Sequence, residues 1–159
     1  MLEALRLLNE WPEREAWAAL ERCCGARRWV EGMLARRPFA DAAGLFDAAR
    51  EVWSSMQRED ILEAFRHHPK IGDVDSLRKK FATTAAWASG EQSGVREASE
   101  AVLRRLAEGN QAYEERFGYI FIVCATGKSA AEMLEILESR LPNEAEAELR
   151  IAAGEQAKI

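Results

Sequence analysis

The run Tyr119-Ile120-Phe121-Ile122-Val123-Cys124 is the one continuous apolar stretch of the 159-residue sequence, and it decides the fold class. A short apolar run of this kind fits a buried strand or part of a buried helix equally well. A single strand, however, would have no partner with which to form a sheet. We therefore expect a buried extended or helical segment here, and an all-α fold around it.

The remainder of the chain shows helical periodicity. The longest helix is predicted from Glu91, with apolar residues at a 3.6-residue spacing over about seven turns as far as Phe117, and Gly118 ends it. Residues 83–88 are predicted to be weakly helical. The sequence thus predicts one all-α domain over residues 1–159, with roughly eight or nine helices around one core.

Local signals predict where the shorter helices begin and end. These are Pro12, Gly25, Asp41, Asp75 or Ser76, Ser129 with Glu132, and Asn143 with Glu146. The helix after Asp41 is expected to face inward with Leu45, Phe46, Ala49, Val52 and Trp53. The tryptophans are expected to be core residues more than a ligand cage: Trp11, Trp17, Trp29, Trp53 and Trp87.

Composition limits the possible functions. The net charge is −5, and lysines and arginines are scattered among the acids, which disfavours nucleic-acid and acidic-membrane partners. No apolar run approaches the ~20 residues that span a bilayer, and the N-terminus does not resemble a secretory signal. The three cysteines show no zinc-binding spacing. We expect a soluble cytoplasmic protein with reduced thiols.

The segment Arg66-His67-His68-Pro69-Lys70-Ile71-Gly72-Asp73 holds both histidines of the chain. Proline disfavours helical backbone at the preceding residue, so His68 is expected in extended backbone on a short stiff loop. An imidazole held in this way suits proton transfer, although a lone histidine at a helix end is more often there for packing. Adjacent residues on extended backbone point to opposite sides, so the pair should not chelate a metal, and we expect none.

If the histidine loop forms one wall of a pocket, the stretch 89–94 could form a second. It has an acid and an amide between two glycines at a helix start. A helix N-terminus favours anions, but an ordinary helix-initiating turn is the simpler explanation of this pattern alone. The apolar run could form a third wall by offering backbone groups to a flat polar ligand, although such a run is most often core. Gly127-Lys128-Ser129 lacks the glycine that a phosphate-binding loop requires five residues earlier, so we interpret it as a turn and helix cap.

Taken together, these segments resemble the 2-oxo-4-hydroxy-4-carboxy-5-ureidoimidazoline (OHCU) decarboxylase family of urate breakdown. The resemblance is carried by 68–73, by Glu91-Gln92-x-Gly94, by Asn110-x-x-Tyr113-x-x-x-Phe117-Gly118-x-x-Phe121-Ile122, and by Gly127-Lys128-Ser129 with Asn143-x-x-x-x-Glu148. It runs from about residue 8 to the C-terminus. It implies an all-α protein, usually dimeric, that converts OHCU to (S)-allantoin and carbon dioxide without a cofactor.

By this resemblance, His68 and Glu91 correspond to the family's catalytic residues, while His67 does not. The substrate-binding positions fall on Pro69, Ala88, Ser89, Gln92 and the segment Ile120, Phe121, Ile122, Val123 and Cys124. Two departures stand out. The family usually has a serine where this chain has Ala88, with Ser89 beside it. The family's late arginine would follow Ile159, so we expect the anion contact either beyond that residue or from elsewhere.

The residues fit such chemistry. A carboxylate leaves best when its electrons delocalise into a neighbouring C=N or C=O bond, and His68 could take or steer the hydroxyl proton. Glu91 could accept N–H bonds from the ureido or ring nitrogens, and Gln92 could both donate and accept. The alternative is a non-enzymatic helical interaction module, in which no pocket joins His68 and Glu91.

Overall fold

The computed structural model describes residues 2–70, 72–81 and 93–159, with side chains over 3–70, 72–81 and 99–159. Within these ranges the chain forms nine α-helices and no strand, which confirms the all-α prediction. The helices are α1 (Leu2–Glu10), α2 (Glu13–Cys23), α3 (Arg27–Leu34), α4 (Ala42–Ser54), α5 (Arg58–Arg66), α6 (Val74–Phe81), α7 (Ser93–Phe117), α8 (Ala130–Arg140) and α9 (Ala145–Gln156). The predicted helical stretch 83–88 and the start of α7 at Glu91 lie outside the described residues. None of the described helices is long and apolar enough to cross a membrane.

The described chain divides into two compact units, one ending at His68 and the other running from Pro69 to Ile159. Each unit is therefore described by itself. The prediction of one domain over residues 1–159 stays a prediction.

The first unit has a core built largely on α3, whose Val30 and Met33 are almost completely buried. Trp29 is also buried, and its indole nitrogen donates to the carbonyl of Ala49 at 3.2 Å. Three other tryptophans, Trp11, Trp17 and Trp53, pack half-buried against this core, whereas Trp87 lies outside the described residues. The prediction of core tryptophans therefore holds for those in this unit.

Helix α4 begins where the sequence predicts, because the Asp41 side chain accepts from the Gly44 N–H at 2.8 Å. Its inward face is slightly different from the expected one. Ala48 and Val52 are the buried residues, while Phe46 is 53% exposed. The prediction for Phe46 is wrong because it lies two positions from Ala48, about 200° away around the helix.

The second unit is dominated by α7, whose 25 residues make the predicted seven turns. Gly118 follows in left-handed backbone at φ +79° and ends the helix as expected. Helix α8 approaches α7 closely at Gly109: a β-carbon built there would lie 2.5 Å from Cδ2 of Leu137. The absence of a side chain at residue 109 therefore permits this packing.

The run Tyr119–Cys124 is not part of a sheet, as the sequence argument predicts, and of the two alternatives left open there it is not the helical one. Tyr119 and Ile122 are buried and the residues between and after them are half-buried. A buried chain without regular structure must still pair its backbone N–H and C=O groups. Here side chains provide those partners for Ile122 and Cys124.

Two of the predicted helix caps are wrong, and one more is confirmed besides that of α4. Helix α6 is capped by Asp73, which accepts from the N–H of Ser76 at 2.8 Å, and not by Asp75 or Ser76. Helix α9 has its N-cap at Glu144 without a side-chain cap, and the Asn143 side chain instead donates to Glu148. The capping box of Ser129 and Glu132 is present, preceded by a turn at Gly127 with φ +74°.

Candidate active site

The histidine loop follows the end of α5. The backbone N–H of His67 donates to Ala64 at 3.2 Å, and that of His68 donates to Phe65 at the same distance. His67 is in right-handed helical backbone (φ −81°, ψ −10°), so the premise of two successive extended residues is wrong. The last turn of α5 tightens to i→i−3 hydrogen bonds as it ends, while the extended backbone expected at His68, the residue before Pro69, stays a prediction.

The two histidines nonetheless differ in their surroundings. The ring of exposed His67 lies against Gly25, where an added β-carbon would be 2.1 Å from its Cγ. His68 is half-buried, and Pro69, the first residue of the second unit, is exposed. His67 is thus a packing partner of the turn between α2 and α3.

In the second unit, side chains hold the extended segment at two alternate residues. Arg140 donates from Nη1 to the carbonyl of Ile122 at 2.9 Å. The Cys124 N–H donates to Glu155 Oε2 at 2.8 Å, and the Cys124 carbonyl accepts from Lys128 Nζ at 2.7 Å. Part of the backbone that the sequence analysis offered to a ligand is therefore already bound within the protein.

Arg140 belongs to a buried polar cluster of Tyr113, Arg140, Asn143 and Glu148. Glu148 is 0% exposed and Arg140 is 5% exposed. Arg140 Nε donates to Glu148 Oε1 at 2.7 Å, and Nη2 and the Tyr113 hydroxyl donate to the same oxygen. Asn143 donates to the other oxygen, Oε2, at 2.9 Å. The buried carboxylate thus has an opposite charge and several donors, which offsets the cost of removing it from water.

Aromatic rings pack around the same cluster. The Arg140 guanidinium lies 4.7 Å from the centre of the Phe121 ring, and Tyr113 contacts Phe121 edge to face with ring centres 5.2 Å apart. Burial is the main cause that raises the pKa of Tyr113, and the hydrogen bond to Glu148 raises it further. The Tyr113 hydroxyl therefore stays protonated and acts as a donor at neutral pH.

Glu155 is more exposed to solvent than Glu148, the carboxylate of the buried cluster. Burial works to raise its pKa, but hydrogen bonds from Lys158 Nζ at 2.6 Å and from the Cys124 N–H outweigh it, so the pKa of Glu155 is lowered overall. Glu155 is thus an ionised acceptor for the segment at neutral pH.

The structure leaves part of the predicted site untested. Ala88, Ser89, Glu91 and Gln92 lie outside the described residues. His68 belongs to the first unit and the Ile120–Cys124 segment to the second, and each is described only within its own unit. Over the described parts of the chain, no group of three or more His, Cys, Asp and Glu side chains could hold a metal ion.

The sequence analysis did not identify the side chains that hold the segment. Glu148, Tyr113 and Lys128 appeared among the family-like positions without a role, whereas Arg140 and Glu155 were not singled out at all. The available signal was a charged residue at an inward position, since Arg140 follows Leu137 by three residues on one face of α8.

Comparison with known proteins shows the family to which the chain belongs. The family model for OHCU decarboxylase matches residues 9–159. The chain is 37% identical over 140 residues to the uric acid degradation bifunctional protein TTL of Arabidopsis thaliana, covering 86% of this chain and 42% of that protein. It is 30% identical over 123 residues to the 2-oxo-4-hydroxy-4-carboxy-5-ureidoimidazoline decarboxylase of Amia calva, covering 77% of this chain and 70% of that one.

A solved structure agrees with the sequence matches. A crystal structure of OHCU decarboxylase in the presence of (S)-allantoin superimposes with a TM-score of 0.67 at 36% identity, covering 87% of this chain and 88% of that chain. The class defined by the fold is therefore an all-α protein with a partly buried, irregular segment between two helices, α7 and α8. The chain belongs to the OHCU decarboxylase family.

Proposed function

We propose that this chain catalyses the cofactor-independent decarboxylation of OHCU to (S)-allantoin and carbon dioxide in urate degradation. The observation that carries the proposal is the family match over residues 9–159, together with the structural likeness to an OHCU decarboxylase crystallised with (S)-allantoin. Relatives named as decarboxylases or as uric acid degradation proteins support the same reaction.

The proposed chemistry assigns His68 and Glu91 as the catalytic residues. The bond from the ring carbon to the carboxylate breaks, carbon dioxide leaves, and the electron pair passes into a neighbouring C=N or C=O bond. His68 takes or steers the substrate hydroxyl proton, and Glu91 accepts N–H bonds from the ureido or ring nitrogens. A proton then returns to carbon from one face, which sets the handedness of allantoin.

The remaining proposed contacts bind and orient the substrate. They are Pro69, Ala88, Ser89, Gln92 and the segment Ile120, Phe121, Ile122, Val123 and Cys124. Support from the described residues comes from the segment, whose extended backbone is held on side chains of α8 and α9 without pairing in a sheet. Backbone fixed in this way can offer hydrogen bonds at little further ordering cost.

A groove of about 790 Å³ in the second unit fits this substrate poorly. It runs between the loop after Pro69 and the C-terminal half of α7. Its charged lining is Lys70 with the acids Asp73, Glu108, Glu114 and Glu115, and Lys70 is paired with Glu114 at 2.6 Å. This acidic surface would repel a substrate carboxylate, so we do not assign OHCU to it.

We further propose a cytoplasmic homodimer that requires no metal. The location is supported by three free cysteines, Cys23, Cys24 and Cys124, which suit a reducing compartment. The dimer rests on the resemblance to the family.

The test of function uses purified protein and enzymatically generated OHCU. The circular dichroism of allantoin is followed against the same mixture without protein. We expect faster formation of allantoin of a single hand. No acceleration by folded protein, or a racemic product at the uncatalysed rate, would overturn the proposed activity.

A further inference from the structure

The backbone contacts that hold the segment Ile120–Cys124 fall on two residues that are two apart, Ile122 and Cys124. Arg140 holds Ile122 through its carbonyl, while Glu155 and Lys128 hold Cys124 through its N–H and carbonyl. This alternation is the pattern of extended backbone, in which the polar groups of residues i and i+2 point to one edge and those of i+1 point to the other. On that geometry, Ile122 and Cys124 form the bound edge, and the N–H and C=O groups of Phe121 and Val123 form the opposite edge.

The side chains that hold the bound edge are themselves fixed. Arg140 is anchored on buried Glu148, which also accepts from Tyr113 and Asn143. Glu155 extends from α9, and its ion pair with the exposed Lys158 adds little to its position. A planar guanidinium with several donors can bind the carboxylate and the Ile122 carbonyl at once, which a point charge cannot do equally well. The position of the segment is therefore set by charged groups on α8, on α9 and on the turn before α8.

We propose that Arg140, Glu155 and Lys128 are positioning residues for OHCU: they fix the Ile122–Cys124 edge so that the Phe121–Val123 edge meets the substrate. This inference rests on the proposed function. None of the three needs to touch the substrate. Their effect on binding and turnover passes through the backbone that they hold, since a misplaced contact lowers both affinity and rate.

The first experiment compares Glu155→Ala with Glu155→Gln. The amide oxygen of glutamine still accepts from the Cys124 N–H, whereas alanine leaves that group without its acceptor. We expect Glu155→Ala to lower kcat/KM for OHCU by about tenfold and to weaken (S)-allantoin binding, measured by calorimetry, by a similar factor. Glu155→Gln should stay within about threefold of the wild type in both measurements.

A matched pair of lysine variants supplies a second test. Lys128→Ala removes the donor to the Cys124 carbonyl, while Lys158→Ala removes an exposed partner of Glu155 and leaves the segment contact in place. We expect the loss of activity and allantoin affinity only in Lys128→Ala. Circular dichroism and urea unfolding establish that each variant is folded under assay conditions, and this pair decides the question if Glu155→Ala does not fold.

The outcomes separate the inference from the proposed function. A wild type that neither turns over OHCU nor binds allantoin overturns both. An active wild type with folded Glu155→Ala and Lys128→Ala variants that retain kcat/KM and allantoin affinity overturns the positioning role alone. Equal losses in Glu155→Gln and Glu155→Ala, or in Lys128→Ala and Lys158→Ala, would also overturn it, because charge and not the backbone contact would then be responsible.

Discussion

At the scale of single residues, the two adjacent histidines occupy different environments. His67 packs on Gly25 in helical backbone, and His68 is half-buried next to Pro69. We predict that His68→Asn lowers kcat/KM by about 10²–10⁴, the usual loss for a positioned acid–base group, while His67→Asn stays within about threefold. The measurement is kcat/KM of both variants, with circular dichroism as a check of folding. An inactive His67→Asn beside an active His68→Asn would reverse the assignment.

Glu91 is the second residue on which the proposed chemistry depends. It lies between Gly90 and Gly94, where backbone can approach a ligand closely, and it matches the acid of the family. We predict that Glu91→Gln keeps the fold and lowers kcat/KM by at least about tenfold, since a lost charged hydrogen bond costs roughly 1.5–3 kcal/mol. Steady-state kinetics with OHCU measure this. Wild-type kinetics in the variant would remove Glu91 from the site.

At the scale of elements, the close approach of α7 and α8 determines where α8 can lie. Gly109 has no room for a β-carbon beside Leu137. We predict that Gly109→Ala lowers the free energy of unfolding by about 1–3 kcal/mol through overpacking, although alanine has the higher helix propensity. Urea unfolding followed by circular dichroism measures the change.

Gly154 provides the control for this prediction. It lies in α9, where an added β-carbon meets no atom within 4 Å, so Gly154→Ala should be neutral or stabilising. If Gly109→Ala were as stable as Gly154→Ala, the two helices would have to separate more easily than the 2.5 Å contact implies.

At the scale of the whole molecule, two proposals concern assembly and metal content. We predict that activity survives exhaustive chelation, because catalysis is assigned to side chains alone, and that light scattering gives a dimer. Loss of activity on chelation with recovery on added zinc would contradict the first prediction. A monomer at working concentration would contradict the second, which rests on the family resemblance and not on a surface of the described chain.

Sequence reasoning succeeds here where the signal is local. The stop of α7 at Gly118, the cap of α4 at Asp41 and the capping box at Ser129 each depend on residues within one turn of one another. Sequence reasoning fails where a polar side chain that could cap a helix binds another side chain instead. Asn143 has the sequence of a helix-opening residue, but its side chain binds buried Glu148, and no local rule reveals that demand.

The amino-acid sequence by itself determined the all-α class, because one isolated apolar run cannot form a sheet, and it carried the motifs that identify the family. Only the tertiary structure decided how that run is held. Arg140, Glu155 and Lys128 come from 4 to 31 residues away along the chain to bind its backbone. Such contacts follow from the packing of whole helices, since a buried backbone group takes whichever partner the fold brings to it.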